Sequence, residues 1–209
     1  IQKKMKTVDW DAEAAEKAGY EHFMMKEIHE QPRAVKDTLN SVLKDGKFDL
    51  TDIGLAEEDI RRTSQIYIVA CGSAYHVGMV AQYVIEDLVK IPVRVELASE
   101  FRYRKPILDP NGLVIIISQS GETADSLAAL RETKAQGIRT LGIVNVVGSS
   151  IAREADKVFY TLAGPEISVA TTKAYSTQLM ASYILAIEFA KVKNTITEEQ
   201  YENYIAELQ

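Results

Sequence analysis

The sequence predicts an α/β protein: a doubly wound, flavodoxin-like parallel sheet of five strands, with helices on both faces and a helical extension in front. Three observations carry this. Five short segments, 66–70, 93–97, 113–117, 140–144 and 157–161, have strand composition, and the first and third are apolar throughout. Uninterrupted apolar runs of this length suit strands buried on both faces, the environment of a parallel sheet. Helical patterns separate the five runs, as right-handed crossovers between parallel strands require. Four of the five turns after the runs contain glycine, the residue needed where a chain leaves a strand sharply.

Residues 12–44 are helical in pattern. Tyr20, Phe23, Met24 and Ile28 fall on one stripe, with Glu13, Glu16, Lys17, Lys26 and Glu27 elsewhere. Gln31-Pro32 is expected to break this segment into two helices, with Pro32 in the first turn of the second. Val35, Leu39, Val42 and Leu43 would form the apolar side of that second helix, and Asp45-Gly46 would end it. Glu57–Arg62 reads as a short helix. Residues 1–60 are thus a linker and helical extension that packs on the next domain or on a second subunit, and residues 61–209 form the α/β domain. Within that domain, helices are expected at 74–89, 123–136, 149–154, 170–192 and Glu198–Leu208. Segment 93–97 alternates in polarity and should be the less buried strand; Ala98-Ser99-Glu100-Phe101 reads as its turn.

The bulk properties narrow the function. With 46% apolar and 26% charged residues in 209, the chain has the composition of a soluble globular domain with a full core. A net charge of -6 without a basic cluster gives no sign of nucleic-acid binding, and none is expected. A phosphorylated ligand would have to be held by directed donors and helix ends rather than by a positive field. Cys71 is the single cysteine, which excludes an internal disulfide and fits a reducing, cytoplasmic setting. No apolar run approaches the ~20 residues of a membrane span. The basic residues 1–6 have no apolar stretch behind them, so they are not a secretory signal. His22, His29 and His76 lack metal-ligand spacing. The start on Ile1 and the end within a helical pattern suggest a piece of a longer chain.

In open parallel sheets, ligands bind beyond the carboxyl ends of the strands. The turn there with the most chemistry is Ser118-Gln119-Ser120-Gly121-Glu122-Thr123. Three hydroxyls and an amide exceed what one helix start needs for capping. Together with backbone N–H groups at a helix N-terminus they make a phosphate site. The turn has neither Gly-x-x-x-x-Gly-Lys nor Gly-x-Gly-x-x-Gly, which argues against a nucleotide or dinucleotide. Ser149 or Ser150 reads as an ordinary N-cap. Cys71, between a strand and a helix, could be an activated thiolate; with no paired cysteine or histidine base, a buried structural thiol is the favoured reading. His76 reads as a packed or partly solvated side chain, and Glu122 as a residue suited to a helix dipole.

Residues 118–125, with Cys71-Gly72-Ser73 and Val169-Ala170-Thr171-Thr172-Lys173-Ala174, resemble the sugar isomerase (SIS) domain. Residues 22–32 (His-Phe-Met-Met-Lys-Glu-Ile-His-Glu-Gln-Pro) and 98–104 (Ala-Ser-Glu-Phe-Arg-Tyr-Arg) make the resemblance more specific, to the first SIS half of the glutamine–fructose-6-phosphate aminotransferase family. It runs from about Gly19 to the region of Gln178. The resemblance implies a full-length enzyme with a glutaminase domain ahead and a second SIS half behind, which makes glucosamine 6-phosphate from fructose 6-phosphate and glutamine. It implies that Ser118, Gln119, Ser120 and Thr123 hold the phosphate, that Ser73 and Val169 line the sugar site, and that the ligand is fructose 6-phosphate, glucosamine 6-phosphate or glucose 6-phosphate. It also implies a homodimer, and it implies no cofactor or metal.

One departure stands out: the family's usual Cys-Gly-Thr-Ser is Cys71-Gly72-Ser73-Ala74 here. Ser73 keeps the first hydroxyl and Ala74 loses the second, a loss of roughly 0.5–1.5 kcal/mol if that hydroxyl bonds the ligand. The family's isomerase base, ring-opening histidine and Schiff-base lysine lie in the second half and the C-terminal tail. No catalytic role therefore falls to Lys173, Glu122 or His76, and the chain alone is expected to be inactive. The alternative is a non-enzymatic phosphosugar-sensing SIS module. Such modules usually follow a basic helix-turn-helix, which the acidic front section with Glu13, Glu16, Glu27 and Glu30 does not resemble. An independent aldose–ketose isomerase would need its own base near the sugar.

Overall fold

The computed structural model describes residues 16–209; residues 1–6, and residues 12–15 of the expected helical pattern, lie outside the described residues. The first helix, α1 (Phe23–Asn40), runs unbroken through Pro32, where the sequence predicts a break. Proline removes the N–H that would have bonded the Ile28 carbonyl. The side-chain amide of Gln31 donates to that carbonyl instead, at 3.2 Å, so the Gln-Pro pair repairs its own defect.

The expected apolar stripe is also corrected. Tyr20, Met24 and Ile28 are exposed, and the buried positions of α1 are Lys26, Glu27, Ala34, Thr38 and Leu39. Near its start the helix faces a polar loop, where charged side chains find partners. Further on, it packs on the core through Ala34 and Leu39. Thr38 Oγ1 shares its one proton between the carbonyls of Ala34 and Thr161 and ties the helix to the sheet's carboxyl end.

Asp45-Gly46 does not end a helix. It forms the turn of a hairpin between β1 (Leu43–Lys44) and β2 (Lys47–Phe48). Both turn residues have positive φ, 50° and 74°, as a two-residue hairpin turn of the Asp-Gly type demands. The chain then passes through α2 (Glu57–Arg62) into the sheet.

The sheet strands are β3 (Ile66–Ala70), β4 (Val93–Leu97), β5 (Leu113–Ser118), β6 (Arg139–Val144) and β7 (Lys157–Tyr160). All pairings are parallel, in the order β4-β3-β5-β6-β7. This is the flavodoxin-like order the sequence predicts. β3 and β5 are buried at every position, whereas the edge strand β4 is not. Alternate residues serve opposite faces: Ile66, Ile68, Leu113, Ile115 and Ile117 join one core, Tyr67, Val69, Val114 and Ile116 the other.

The helices divide between the same two faces. α3 (Ser73–Val89) and α7 (Lys173–Val192) cover the first, with α1 packed on α7. α4 (Ala98–Arg104), α5 (Ala124–Ala135) and α6 (Ser150–Glu154) cover the second. α4 replaces the turn expected at 98–101: the chain passes straight from β4 into a helix because Ala98 and Phe101, three apart, both bury completely. α7 begins at Lys173, not at residue 170, and most of it is buried. The last helix, α8 (Glu198–Leu208), opens with a reciprocal Thr197–Gln200 capping box.

The β1–β2 hairpin is stapled to α7 and α8 by one polar chain. Phe48 N–H donates to the Tyr201 hydroxyl at 2.9 Å, which donates to Glu188 Oε2 at 2.8 Å. Burial pushes the Glu188 carboxyl above its ordinary value of 4.5, against the lowering pull of Tyr201. A raised folded pKa adds stability that is complete below the unfolded value and lost as pH rises through the folded one. Glu188→Gln is therefore expected to flatten the decline of melting temperature above about pH 4.5. Parallel melting curves for the two proteins from pH 4 to 8 would refute this.

Candidate functional site

From β3 the chain crosses to β4 on one side, then returns to β5 on the other. Adjacent strands whose connections diverge leave a crevice at their carboxyl ends. Here it holds a cavity of about 220 Å³. Ser73, Ser118, Gln119, Ser120, Thr123 and Val169, which the sequence places in three separate segments, all line it. The first comes from the start of α3, the next four from the β5–α5 turn, and Val169 from the loop before α7.

Gly121 shapes the β5–α5 turn. Its φ is +64°, and a Cβ there would sit 2.6 Å from Ser149 Cβ and nearer still to its hydroxyl. The Ser118 hydroxyl accepts from Gly121 N–H at 3.1 Å and lies 3.0 Å from Thr123 Oγ1. Ser120 Oγ accepts from Glu122 N–H at 3.2 Å. A hydroxyl accepts twice and donates once. If Thr123 donates to Ser118, then Ser118, itself buried, still has its own proton to direct at a ligand.

Two helix starts facing this crevice carry no side-chain cap. The N-cap residues are Gly72 for α3 and Thr123 for α5, and neither makes a capping bond. Apart from Tyr75 N–H, which bonds the Gly72 carbonyl at 3.1 Å, their first-turn N–H groups keep their donor capacity and the positive end of the helix dipole. The start of α7 differs. Glu166 accepts from the backbone N–H of Thr172 at 2.9 Å and of Ala174 at 3.1 Å, and from Thr171 Oγ1 at 3.0 Å. That carboxylate, although on the cavity wall, is engaged by its own helix. Among the described residues lining the cavity there is no lysine or arginine.

The reading of Ser149 and Glu122 changes. Ser149 holds the N-cap position of α6 but makes no capping bond, and its hydroxyl is buried without a partner among the described residues. Glu122 caps that helix instead, accepting from Ser150 N–H at 2.7 Å. Hydrogen bonding by the Ser150 side chain and by its N–H holds the Glu122 carboxyl below its ordinary value. Glu122 thus serves α6, across the crevice from the helix its sequence position points to. Because a depressed pKa loses its stabilisation as pH falls, Glu122→Gln should reduce acid sensitivity below about pH 4.5. An unchanged acid midpoint would count against this role.

Cys71 is half-buried on the cavity wall rather than enclosed, and Ser126 Oγ donates to its sulfur at 3.9 Å. His76 is exposed in an adjoining open bowl with Gln31, Ser73 and Tyr175. Sequence reasoning did not place Ser168 or Gln178 at the site, and it named Glu166 and Thr171 only within a turn and a motif. Glu166 could have been found, because an acidic residue shortly before a helix start is a capping signal. Gln178 could not, since it lies inside a mostly apolar helix. Among the described residues no three His, Cys, Asp or Glu side chains group as metal ligands.

A family model described as "SIS domain" matches residues 59–188. The glutamine–fructose-6-phosphate aminotransferases [isomerizing] of Clostridium acetobutylicum and Clostridium tetani are each 56% identical over 209 residues. The match takes in 100% of this chain and 34% of theirs, so the chain spans about a third of the length of these curated relatives. Among solved structures, the C-terminal domain of glucosamine-fructose-6-phosphate aminotransferase from Francisella tularensis superposes with a TM-score of 0.88 at 48% identity, over 92% of this chain and 54% of that one. A glucosamine-6-phosphate deaminase from Thermotoga maritima superposes with a TM-score of 0.70 at 26% identity, over 88% of this chain and 53% of that one.

Proposed function

The chain belongs to the SIS domain family, and from that premise we propose that its cavity is the phosphate cradle of a hexose 6-phosphate site. The ligand would be fructose 6-phosphate, glucosamine 6-phosphate or glucose 6-phosphate. The observation that carries this reading is the convergence of hydroxyls, an amide and two uncapped helix starts on one cavity of about 220 Å³. A phosphate dianion needs many donors, and neutral ones aimed by a rigid turn supply them at little reorganisation cost.

In this reading Ser118, Ser120, Thr123 and the Gln119 amide hold the phosphate, with the first-turn N–H groups of α5; of the bonded Ser118–Thr123 pair, one hydroxyl proton stays between the two and the other goes to a phosphate oxygen. Ser73 and Val169 border the sugar carbons. Ala74 offers no hydroxyl, so the α3 side would hold the ligand through Ser73 and the helix end. The chain itself supplies no catalytic residue.

The whole protein would be a glutamine–fructose-6-phosphate aminotransferase that makes glucosamine 6-phosphate, working in the cytoplasm as a homodimer. A glutaminase domain and a second SIS half would complete it. Residues 1–60 would then be the linker and helical extension, and residues 61–209 the first SIS domain. The 48% to 56% identity to aminotransferases supports this reading.

Titrating the 209-residue chain with fructose 6-phosphate and with glucose 6-phosphate, followed by amide NMR, tests the cradle. Shifts should concentrate at 118–123, and their absence would sink it. Ser120→Ala should weaken binding about 10- to 100-fold, the range for a charge-assisted hydrogen bond.

A further inference from the structure

The loop that brings Ser168 and Val169 to the cavity has little of its own to hold it. Ile167 is 48% exposed and Val169 fully exposed, so apolar burial does not fix them. The backbone hydrogen bonds of residues 167–170 among the described residues are two, and both go to one atom. Glu27 Oε1, on α1, accepts from Ile167 N–H at 2.6 Å and from Ser168 N–H at 3.2 Å.

Glu27 is an unusual residue for that place. It is 2% exposed, and its second oxygen, Oε2, is buried without a hydrogen-bond partner among the described residues. Burying a carboxylate with an unsatisfied oxygen costs stability. A position selected for packing alone would carry an apolar side chain. The cost is understandable if the carboxylate is needed to grip the two amides. Its neighbour Glu30 pairs with Lys173 at 2.6 Å and so fixes α1 against the start of α7, next to the same loop.

We infer that α1 is a clamp for the ligand site, in which Glu27 is a positioning residue that holds the Ile167–Ser168 amides and thereby sets Ser168 and Val169 against the cavity. The inference rests on the proposed sugar-phosphate reading for its consequence, but not for the clamp itself. Geometry, not charge, does the work: two consecutive amides converge on one acceptor oxygen 140 residues away in the chain. Glu27→Gln retains that acceptor. Glu27→Asp retains the charge but withdraws the oxygen by one methylene.

The test compares hydrogen exchange and fructose 6-phosphate affinity in the wild-type chain and in the Glu27→Ala, Glu27→Gln and Glu27→Asp variants. Without ligand, Glu27→Ala and Glu27→Asp should speed exchange at Ile167 and Ser168 at least 10-fold, leave residues 118–123 unchanged, and weaken binding about 5-fold or more, as expected for amides losing their acceptor. Glu27→Gln should stay close to wild type in both readouts. If Glu27→Ala does not fold, the Gln and Asp pair decides. Unchanged loop exchange in Glu27→Asp overturns the clamp, as does a Gln variant no better than Asp. Faster exchange with unaltered affinity overturns its link to the ligand. A wild type that binds no sugar phosphate, yet shows the predicted exchange pattern, refutes the ligand reading and leaves the clamp standing.

Discussion

Replacing Gly121 with alanine is expected to abolish measurable sugar-phosphate binding and to destabilise the chain by about 3 kcal/mol or more. Two costs add. A φ of +64° is left-handed backbone, which costs a residue with a Cβ roughly 1–2 kcal/mol. The new methyl would also lie 2.6 Å from Ser149 Cβ. Overpacking of that kind costs typically 1–3 kcal/mol when the neighbour cannot move. Ser149 cannot move freely, because its own carbonyl accepts from Arg153 N–H within α6. The turn must therefore shift, and with it the Gly121 N–H to Ser118 bond that orients the cradle. The companion Gly121→Ala/Ser149→Gly separates the two costs: it should recover the clash and leave the φ strain. Denaturant midpoints and a fructose 6-phosphate titration read both effects. A Gly121→Ala protein that melts and binds like wild type would show that the turn is far softer than its contacts imply.

Glu30→Leu is expected to cost about 3 kcal/mol, because it strands a buried ammonium. Lys173 is 3% exposed, and its Nζ lies 2.6 Å from Glu30 Oε2. Removing one partner of a buried pair leaves the other charge without compensation, whereas replacing both by apolar groups is often nearly neutral. Glu30→Leu/Lys173→Met should therefore recover the part of the loss that comes from Lys173, whereas Lys26, 3.5 Å from Glu30 and also bonded to the Glu16 carbonyl, loses this carboxylate in both variants. Urea unfolding of the four proteins in this cycle measures the coupling. Equal stability of the single and double variants would mean that Lys173 finds another acceptor when Glu30 is gone.

How much of this was readable from the chain depends on how local the cause is. The sheet was readable because β3 is apolar at every position and β5 at all but its last, Ser118, and their crossovers follow in sequence. The β5–α5 turn was readable for the same reason: its hydroxyls, amide and glycine lie within six consecutive residues. The front section was not. Pro32 signals a break, but the neighbouring Gln31 side chain replaces the lost donor. Asp45-Gly46 serves equally as a helix end or a hairpin turn, and the pairing of Leu43 with Phe48 made it the latter. The stripe of Tyr20, Met24 and Ile28 predicted the wrong face, because the helix turns Glu27 toward a loop some 140 residues away in the chain and buries Lys26 against the Glu16 carbonyl.

The sequence by itself determined the doubly wound fold and the hydroxyl-rich turn after β5, since both arise from short-range patterns: apolar runs, helical periodicity and turn chemistry. Only the tertiary structure decided what surrounds that turn. It turned Glu122 across the crevice to α6, and placed Glu27 under the loop of Ser168 and Val169. The physical reason is that a carboxylate can satisfy any nearby amide, and which amide is nearby is settled by packing between elements far apart in the chain.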